Sequence, residues 1–167
     1  MKHFMLLFLI AISIASCSKQ AVKEEKPKSK ITVTKNDSPW VSEGVSAHYN
    51  VDEDIVHVIS GKGTETFTIS FKKKNIPLDG IVKDFSAVVQ SAPFYGSAAI
   101  SERYLLETDK PNKLKLLLFE DPEQRIACDF VLYLKRVDQP NTAEESIVFK
   151  GRFDVRYDFF SLKDFKD

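Results

Sequence analysis

The chain of 167 residues contains few of the residues on which a disulfide framework or a reactive centre usually depends: two cysteines, three histidines, six glycines and one tryptophan. With so few cysteines the chain cannot be a disulfide scaffold, so its stability must come from packing. The 13 Phe and five Tyr residues supply the bulk for such a core.

A net charge of one sign is also missing, because 24 Lys and Arg residues balance 24 Asp and Glu residues. Such a chain lacks the positive field that attracts nucleic acid, so nucleic acid is not an expected partner. The motifs HExxH, GxSxG, CxxC and the P-loop are absent as well. We therefore expect a non-enzymatic protein with no catalytic residue, no cofactor and no metal site.

No hydrophobic run is long enough to cross a bilayer. The longest one, from Phe4 to Ala15, is broken only by Ser13. As a helix it would span about 18 Å of the roughly 30 Å of a bilayer core. With Lys2 before it, this run is typical of the apolar centre of a secretory signal peptide.

A more specific motif follows this run. Ile14-Ala15-Ser16-Cys17 resembles the lipobox of bacterial lipoproteins. The resemblance implies cleavage before Cys17 and acyl chains on its sulfur, and Ser18 fits sorting to the outer membrane. Several acyl chains, at about 0.8 kcal/mol for each buried CH₂, would hold the protein permanently at a membrane. The alternative is an ordinary signal peptide with a chance cysteine.

Three segments follow from this interpretation: a lipoprotein signal peptide over 1–16, a lipidated cysteine and disordered tether over 17–30, and a β-rich domain over 31–167. The tether holds five lysines, two glutamates and one proline. Such a composition cannot bury enough apolar surface to offset the entropy of ordering, which predicts disorder.

Short apolar or alternating segments separated by turn signals predict strands throughout the domain. The turn signals are Gly44, Ser60–Gly63 and Asp109–Asn112, the last predicted as a hairpin loop between strands 101–108 and 113–119. The leucine-rich run 114–119 predicts a central strand covered on both faces. The fold class is mainly β, a single antiparallel β-sandwich or open barrel of about seven or eight strands.

Residues 76–90 fit two structures. Leu78, Ile81 and Phe85 have the spacing of an amphipathic helix. Gly80 and five β-branched residues in this window disfavour a helix. We predict one short helix near 76–90, with an irregular strand as the alternative.

The last two predicted strands, 125–137 and 146–160, carry their apolar residues at even and odd positions, respectively. Opposed residues of a hairpin share a face, so each opposed pair must join an even number to an odd one. A register that places Asp129 opposite Arg152 or Arg156 avoids like-charge repulsion. Gly151, which interrupts the apolar row, predicts a bulge or bend.

Phe94 and Tyr95 are the candidate binding residues. They are adjacent aromatics between Pro93 and Gly96, where both rings cannot easily be buried. In the commoner arrangement one ring closes the end of the core and the other lies flat on it. In the alternative both are exposed and bind a sugar ring or a protein partner.

Structural roles are expected for the remaining candidates. His48 and His57 flank the acidic residues 52–54, a set that could hold Zn²⁺. We expect instead a histidine packed beside a strand and a solvated acidic loop. Cys128 and Trp40 are expected in the core, because a thiol on the apolar face of a strand behaves as an inert hydrophobe.

The chain resembles a group of small, uncharacterised bacterial lipoproteins with a β-sandwich-like domain. The shared features are the lipobox and tether, Trp40, Ser46-Ala47-x-Tyr49, the Ile59-Ser60-Gly61 turn and Phe149-Lys-Gly-Arg-Phe153. The segment from Pro77 to Gly96 departs from that pattern. The resemblance implies an envelope lipoprotein and transfers no site residues.

The functional hypothesis is a membrane-anchored envelope lipoprotein that acts as a non-enzymatic binding or accessory module. Its partners would be the membrane, through the lipid anchor, and another envelope protein or a glycan. The alternatives are a periplasmic immunity or inhibitor lipoprotein and an envelope hydrolase. A protruding loop would fit the inhibitor, and a deep pocket with a histidine near carboxylates would fit the hydrolase.

Overall fold

The computed structural model describes residues 28–76, 80–138 and 145–161. The proposed signal peptide, Cys17 and most of the tether lie outside these ranges. In the described part of the chain the fold is mainly β, as predicted, with more strands than predicted and one 3₁₀ turn. The strands are β1 Lys30–Lys35, β2 Ser38–Trp40, β3 Gly44–Asn50, β4 Ile55–Lys62, β5 Glu65–Lys72, β6 Ile81–Val82, β7 Phe85–Ser91, β8 Glu102–Leu106, β9 Lys113–Glu120, β10 Arg125–Arg136 and β11 Ser146–Phe160.

The antiparallel hairpin of β10 and β11 organises the fold, because each of its edges is shared by two further strands. Along β11, residues 149–154 pair with β1 and residues 157–160 pair in parallel with β3. Along β10, residues 125–131 pair with β9 and residues 134–136 pair with β8. The contacts to β3 and β8 therefore lie at diagonally opposite corners of the hairpin.

The pairings continue from β3 through β4, β5, β7 and β8 and return to β10, so they close a circuit of strands. The strand pairs β1–β2 and β9–β6 flank that circuit. Aromatic rings fill the interior between the two halves. Phe67 of β5 lies 5.5 Å from Phe130 of β10 and 4.9 Å from Phe149 of β11, between ring centroids.

The predicted register of the last hairpin is confirmed. Every opposed pair joins an even residue to an odd one, and Asp129 lies opposite Arg152. The Asp129 carboxylate accepts hydrogen bonds from Arg152 Nε at 2.6 Å and Nη2 at 3.1 Å. The apolar rows of both strands face the core, where Cys128, Phe130 and Phe153 are buried.

Of the bulge or bend predicted at Gly151, the bulge is wrong, because the pairing of β10 with β11 passes through this residue without a shift. The glycine is needed for another reason. A Cβ at this position would lie 2.1 Å from the Thr32 carbonyl oxygen and 3.0 Å from the Phe130 ring. Gly151 therefore lets β1 and an aromatic ring approach the backbone of β11 closely.

The short helix predicted near 76–90 is also wrong. Residues 81–82 form β6 and residues 85–91 form β7, which is the alternative of irregular strands. In β7, Ala87 and Val89 alternate into the core while Ser86 is exposed. Pairing with β5 and β8 on either side supplies the hydrogen bonds of β7, which overrides the helical spacing.

The predicted hairpin around 109–112 does not form, although strands lie on both sides of it. Both β8 and β9 run antiparallel to β10, so they run in the same direction as each other and cannot pair as a hairpin. Instead, β8 and β9 lie one after the other along the same edge of β10. Between them, the loop 107–112 bulges away from the sheet.

Asn112 closes this loop. Its Oδ1 accepts the backbone N–H of Tyr133 on β10 at 2.7 Å, and its Nδ2 donates to the Glu107 carbonyl at 2.5 Å. The Asn112 side chain thus takes the place of a paired backbone group opposite Tyr133. The hydrogen bonds along this edge of β10 therefore continue between β8 and β9.

Two smaller turn predictions are also corrected. Residues 60–62 belong to β4, and the β4–β5 connection is the two-residue turn at Gly63 and Thr64, since Lys62 pairs with Glu65. Gly44 begins β3 rather than forming a turn. The run 114–119 is not covered on both faces, because the register shift opposite Ala127 and Cys128 leaves Leu117 exposed.

Candidate functional site

The closed circuit of strands, here called the barrel, has two distinct ends, here called the aromatic end and the tether end. The aromatic end carries the β4–β5 turn, the β7–β8 loop and the chain just after β10. The tether end carries Ser29, the turn 51–54 and the turn 121–124. Backbone contacts hold the tether end together, among them Val51 N to Phe160 O at 3.2 Å.

The candidate binding site is the loop Ala92–Ile100 at the aromatic end, here called the aromatic loop. Its base is closed by backbone hydrogen bonds from Ala92 N to Thr64 O at 3.0 Å and from Ser101 N to Ser91 O at 2.8 Å. Within it, Ser97 N bonds to Phe94 O at 3.1 Å, and Gly96 adopts a positive φ of 83°. The loop is therefore a closed turn on a β scaffold.

Both candidate aromatic residues point to solvent. Phe94 is 66% exposed, Tyr95 is 85% exposed and Ile100, on the returning side of the loop, is 52% exposed. The arrangement in which one ring closes the end of the core is therefore not the one observed. Largely exposed apolar side chains grouped on one loop are typical of a surface that a partner covers.

The charge pattern around the loop strengthens this interpretation. From Phe85 to Ser101 the chain carries no charged residue, although 29% of all residues are charged. Two serine hydroxyls in and beside the loop have partners: Ser97 Oγ accepts the Ala99 N–H at 3.1 Å, and Ser101 Oγ donates to the Ser91 carbonyl at 2.9 Å. The side chains of the loop are therefore uncharged, and the hydroxyl groups among them are those of Tyr95 and Ser97.

An ionic network supports the barrel beside the loop. The guanidinium of Arg136 lies 3.1 Å from Asp138, 3.2 Å from Glu145 and 3.5 Å from Glu102. Asp138 also accepts the backbone N–H of Arg103 at 3.0 Å. The hydrogen bond from Arg136 holds the pKa of Asp138 below its usual range. This network joins the start of β8 to the end of β10 and so fixes the returning side of the loop.

A second polar cluster lies at the tether end. Lys73 Nζ is 2.7 Å from Asp121 and lies over the rings of Tyr49, at 4.8 Å, and Phe119, at 5.4 Å. Tyr157 donates a hydrogen bond to the same Asp121 at 2.7 Å. The hydrogen bonds from Lys73 and Tyr157 lower the pKa of Asp121, and burial raises the pKa of Tyr157. The cluster ties β3, β11 and the β9–β10 turn together.

The histidines and acids considered for a metal site are used otherwise. His48 and His57 are opposed on β3 and β4. Asp54 accepts the Tyr49 hydroxyl at 2.9 Å and the Lys74 N–H at 3.1 Å, so it closes a turn. Among the residues that the structure describes, no group of three or more His, Cys, Asp or Glu side chains is placed to hold a metal ion.

His57 forms a cross-strand pair with Ser70, since its Nδ1 lies 2.8 Å from the Ser70 Oγ. Ser70 also lines a depression of about 300 Å³ with Asp84 and Ser86. A nucleophilic serine requires a third group that orients the imidazole through a hydrogen bond. Here burial lowers the pKa of His57, and Glu53 acts on it through charge alone. Among the described residues, the pair is a part-buried cross-strand contact without such a third group, which gives the hydrolase hypothesis little support.

Cys128 and Trp40 both lie in the core. Cys128 has no accessible surface, and burial raises the pKa of its thiol. Trp40 packs edge-on against Phe67 and Phe149 and donates its indole N–H to Glu65 at 2.5 Å. Because Cys128 and Trp40 are both buried, neither is available to bind a partner at the surface. The aromatic loop remains the candidate binding site.

The fold and site together define a mainly β domain that displays an uncharged aromatic loop. No protein-family model, curated protein or solved structure matches this chain. Within the described ranges, no helix is long and apolar enough to cross a membrane. The sequence predictions included Phe94 and Tyr95 but missed Ile100. The uncharged run that ends at Ser101 was the signal that could have found it.

Proposed function

We propose that this protein is a lipid-anchored envelope lipoprotein that binds a partner through the aromatic loop and does not catalyse a reaction. The observation that carries the proposal is the exposure of Phe94, Tyr95 and Ile100 on one closed, uncharged loop. The lipobox at residues 14–17 supports the anchor and the location at the outer membrane. Aromatic side chains supply a large share of binding energy at protein interfaces.

The rigid scaffold favours binding by a preformed surface. The loop is closed at its base by backbone bonds and flanked by the Arg136 network. A preformed loop loses little conformational entropy when it docks, so more of the contact energy appears as affinity. Apolar side chains that served only stability would be directed into the core, as Phe67 and Phe130 are.

The test compares loop and control variants of the full-length chain in intact cells. Chemical crosslinking should recover a partner with the wild type, and Phe94→Ser with Tyr95→Ser should abolish that product. The matched control is Val51→Ser, an exposed apolar residue at the tether end. Equal recovery from the loop variant and the wild type, at equal abundance and melting temperature, would exclude the aromatic loop as the binding surface.

An inhibitor or immunity lipoprotein is the second candidate, because an exposed loop closed at its base by backbone bonds is also suited to insertion into a target protein. The identity of the crosslinked partner separates the two functions. A lytic enzyme or toxin that loses activity on binding would favour the inhibitor, whereas a structural envelope protein would favour the accessory module.

A further inference from the structure

We propose that the aromatic loop faces away from the anchoring membrane. On that side of the barrel it docks into an apolar cleft of a partner protein. This inference rests on the proposed binding function and specifies both the orientation of the domain and the class of its partner.

The first step concerns where the chain enters the barrel. Ser29 Oγ accepts the backbone N–H of Arg156 at 3.0 Å, and β1 begins at the next residue. Arg156 pairs with Arg125, which follows the turn 121–124 at the tether end. The chain that leads back toward Cys17 therefore leaves from the tether end, opposite the aromatic loop.

The second step compares lengths. β5 connects the two ends with eight residues, so the ends are about 25 Å apart at a rise of about 3.3 Å per residue. Ten residues separate Cys17 from Lys28, so eleven Cα–Cα steps join the two residues and reach about 40 Å when fully extended. A disordered tether of this length, as its composition predicts, spans only about 18 Å on average. To bring the aromatic end to the same membrane, the tether would have to stretch well beyond this average and run back along most of the barrel wall. The reach of the anchor thus favours an outward-facing loop.

The third step concerns the chemistry of the partner. A site for sugars combines aromatic rings with polar side chains that bond to hydroxyl groups. The aromatic loop instead adds the exposed residues Ile100, Ala98 and Ala99 to its aromatic residues, and its side chains contain only two hydroxyl groups, those of Tyr95 and Ser97. Aliphatic and aromatic groups together, without charge, match the centre of a protein interface. A protein is therefore favoured over a glycan.

The experiment places a photoreactive benzoylphenylalanine in the full-length chain in intact cells, at Tyr95 in one variant and at Phe159 in the other. Phe159 is an exposed aromatic residue at the tether end and serves as the matched position. We expect a single protease-sensitive adduct from position 95, and from position 159 no such adduct. Adding Phe94→Ser should lower the yield at position 95 by about tenfold or more, as for loss of an aromatic anchor.

The adducts at position 95 are distinguished by mass and by digestion. Phospholipid adducts would overturn the outward orientation, and adducts released by a glycan-cleaving enzyme would overturn the assignment of a protein partner. Either result would still leave the loop as a binding surface. If position 95 gives no adduct in a chain that melts like the wild type, the proposed binding function itself fails, together with this inference.

Discussion

Gly151 has the least room for a side chain among the six glycines. An added methyl group would lie 2.1 Å from a backbone oxygen of Thr32, which cannot rotate away as a side chain can. We predict that Gly151→Ala lowers the free energy of unfolding by about 3 kcal/mol, at the upper end of the usual cost of overpacking. Urea unfolding followed by Trp40 fluorescence would measure it.

Gly44 provides the control for this prediction. It also lies in a strand, as the first residue of β3, but a Cβ added there would meet no atom within 4 Å. Gly44→Ala should change stability by less than about 0.5 kcal/mol, as for an ordinary surface substitution. Equal urea midpoints for the two variants would show that β1 does not pack against β11 as described.

Asp154 makes stability depend on pH. Its carboxylate accepts hydrogen bonds from Arg125 Nε and Nη2, both at 2.8 Å, and this arginine lowers the pKa of Asp154 from the ordinary 3.8. A carboxylate with a lowered pKa stabilises the fold above its unfolded pKa and loses that contribution as the pH falls through its folded pKa. We predict that Asp154→Asn costs about 1 kcal/mol at pH 7, because the pair is partly solvated.

The difference between the wild type and Asp154→Asn should shrink as the pH falls below about 4 and vanish once the carboxylate is protonated in both states. Asp158→Asn is the matched control, since Asp158 is exposed on the same strand. Asp158→Asn should change the free energy of unfolding little at pH 7 or at pH 2.5. A difference for Asp154→Asn that stays constant from pH 7 to pH 2.5 would contradict the role of the ion pair.

At the scale of the elements, the loop 107–112 depends on one side chain. Asn112 accepts the Tyr133 N–H and donates to the Glu107 carbonyl. Asn112→Ala leaves both groups unpaired and should cost about 1–3 kcal/mol, the usual penalty for a lost partner of a partly buried polar group. Hydrogen exchange should show faster exchange at the Tyr133 amide, with little change elsewhere in β10.

Asn112→Asp separates the two bonds, because it keeps an oxygen for the Tyr133 N–H but loses the donor to Glu107. Protection of the Tyr133 amide should then remain close to that of the wild type. If Asn112→Ala leaves the Tyr133 amide fully protected, this side chain does not bridge β8 and β9.

The long strands could be predicted from the sequence because one periodic pattern determined both their type and their register. In β10 and β11 the alternation extends over many residues, with Gly151 as its one interruption in β11, so a shift by one residue would expose a whole apolar row. The segment 81–91 has no such pattern. Its helical spacing and its β-branched residues conflict, and the decision came from β5 and β8 on either side.

The loop between β8 and β9 shows a different limit. Asp109-Lys-Pro-Asn112 has the composition of a hairpin turn, but composition does not state the direction of the chain after the turn. That direction follows from β10, which offers one edge long enough for both strands. Similarly, adjacent aromatics at 94 and 95 predicted a candidate site, whereas their exposure depended on how the rest of the core was filled.

At the scale of the whole molecule, the two ends of the barrel differ in what they carry. The tether end, where the chain enters at Ser29, holds a connected polar cluster of Lys73, Asp121 and two tyrosines. The aromatic end displays the uncharged aromatic loop beside the ionic network of Arg136. The chain entry and the exposed loop therefore lie at opposite ends, which suits the proposed protein that is held from one side and binds on the other.

The lipid anchor can be tested by counting thiols in the native, full-length protein. The sequence has two cysteines, Cys17 and Cys128. Burial raises the pKa of Cys128 and removes it from solvent, so it should not react with a thiol reagent in the folded chain. If the sulfur of Cys17 is a thioether, the folded protein shows no reactive thiol and the unfolded protein shows one, which Cys128→Ala removes. A second thiol after unfolding would mean that Cys17 carries no lipid, and the proposed anchor would then be excluded.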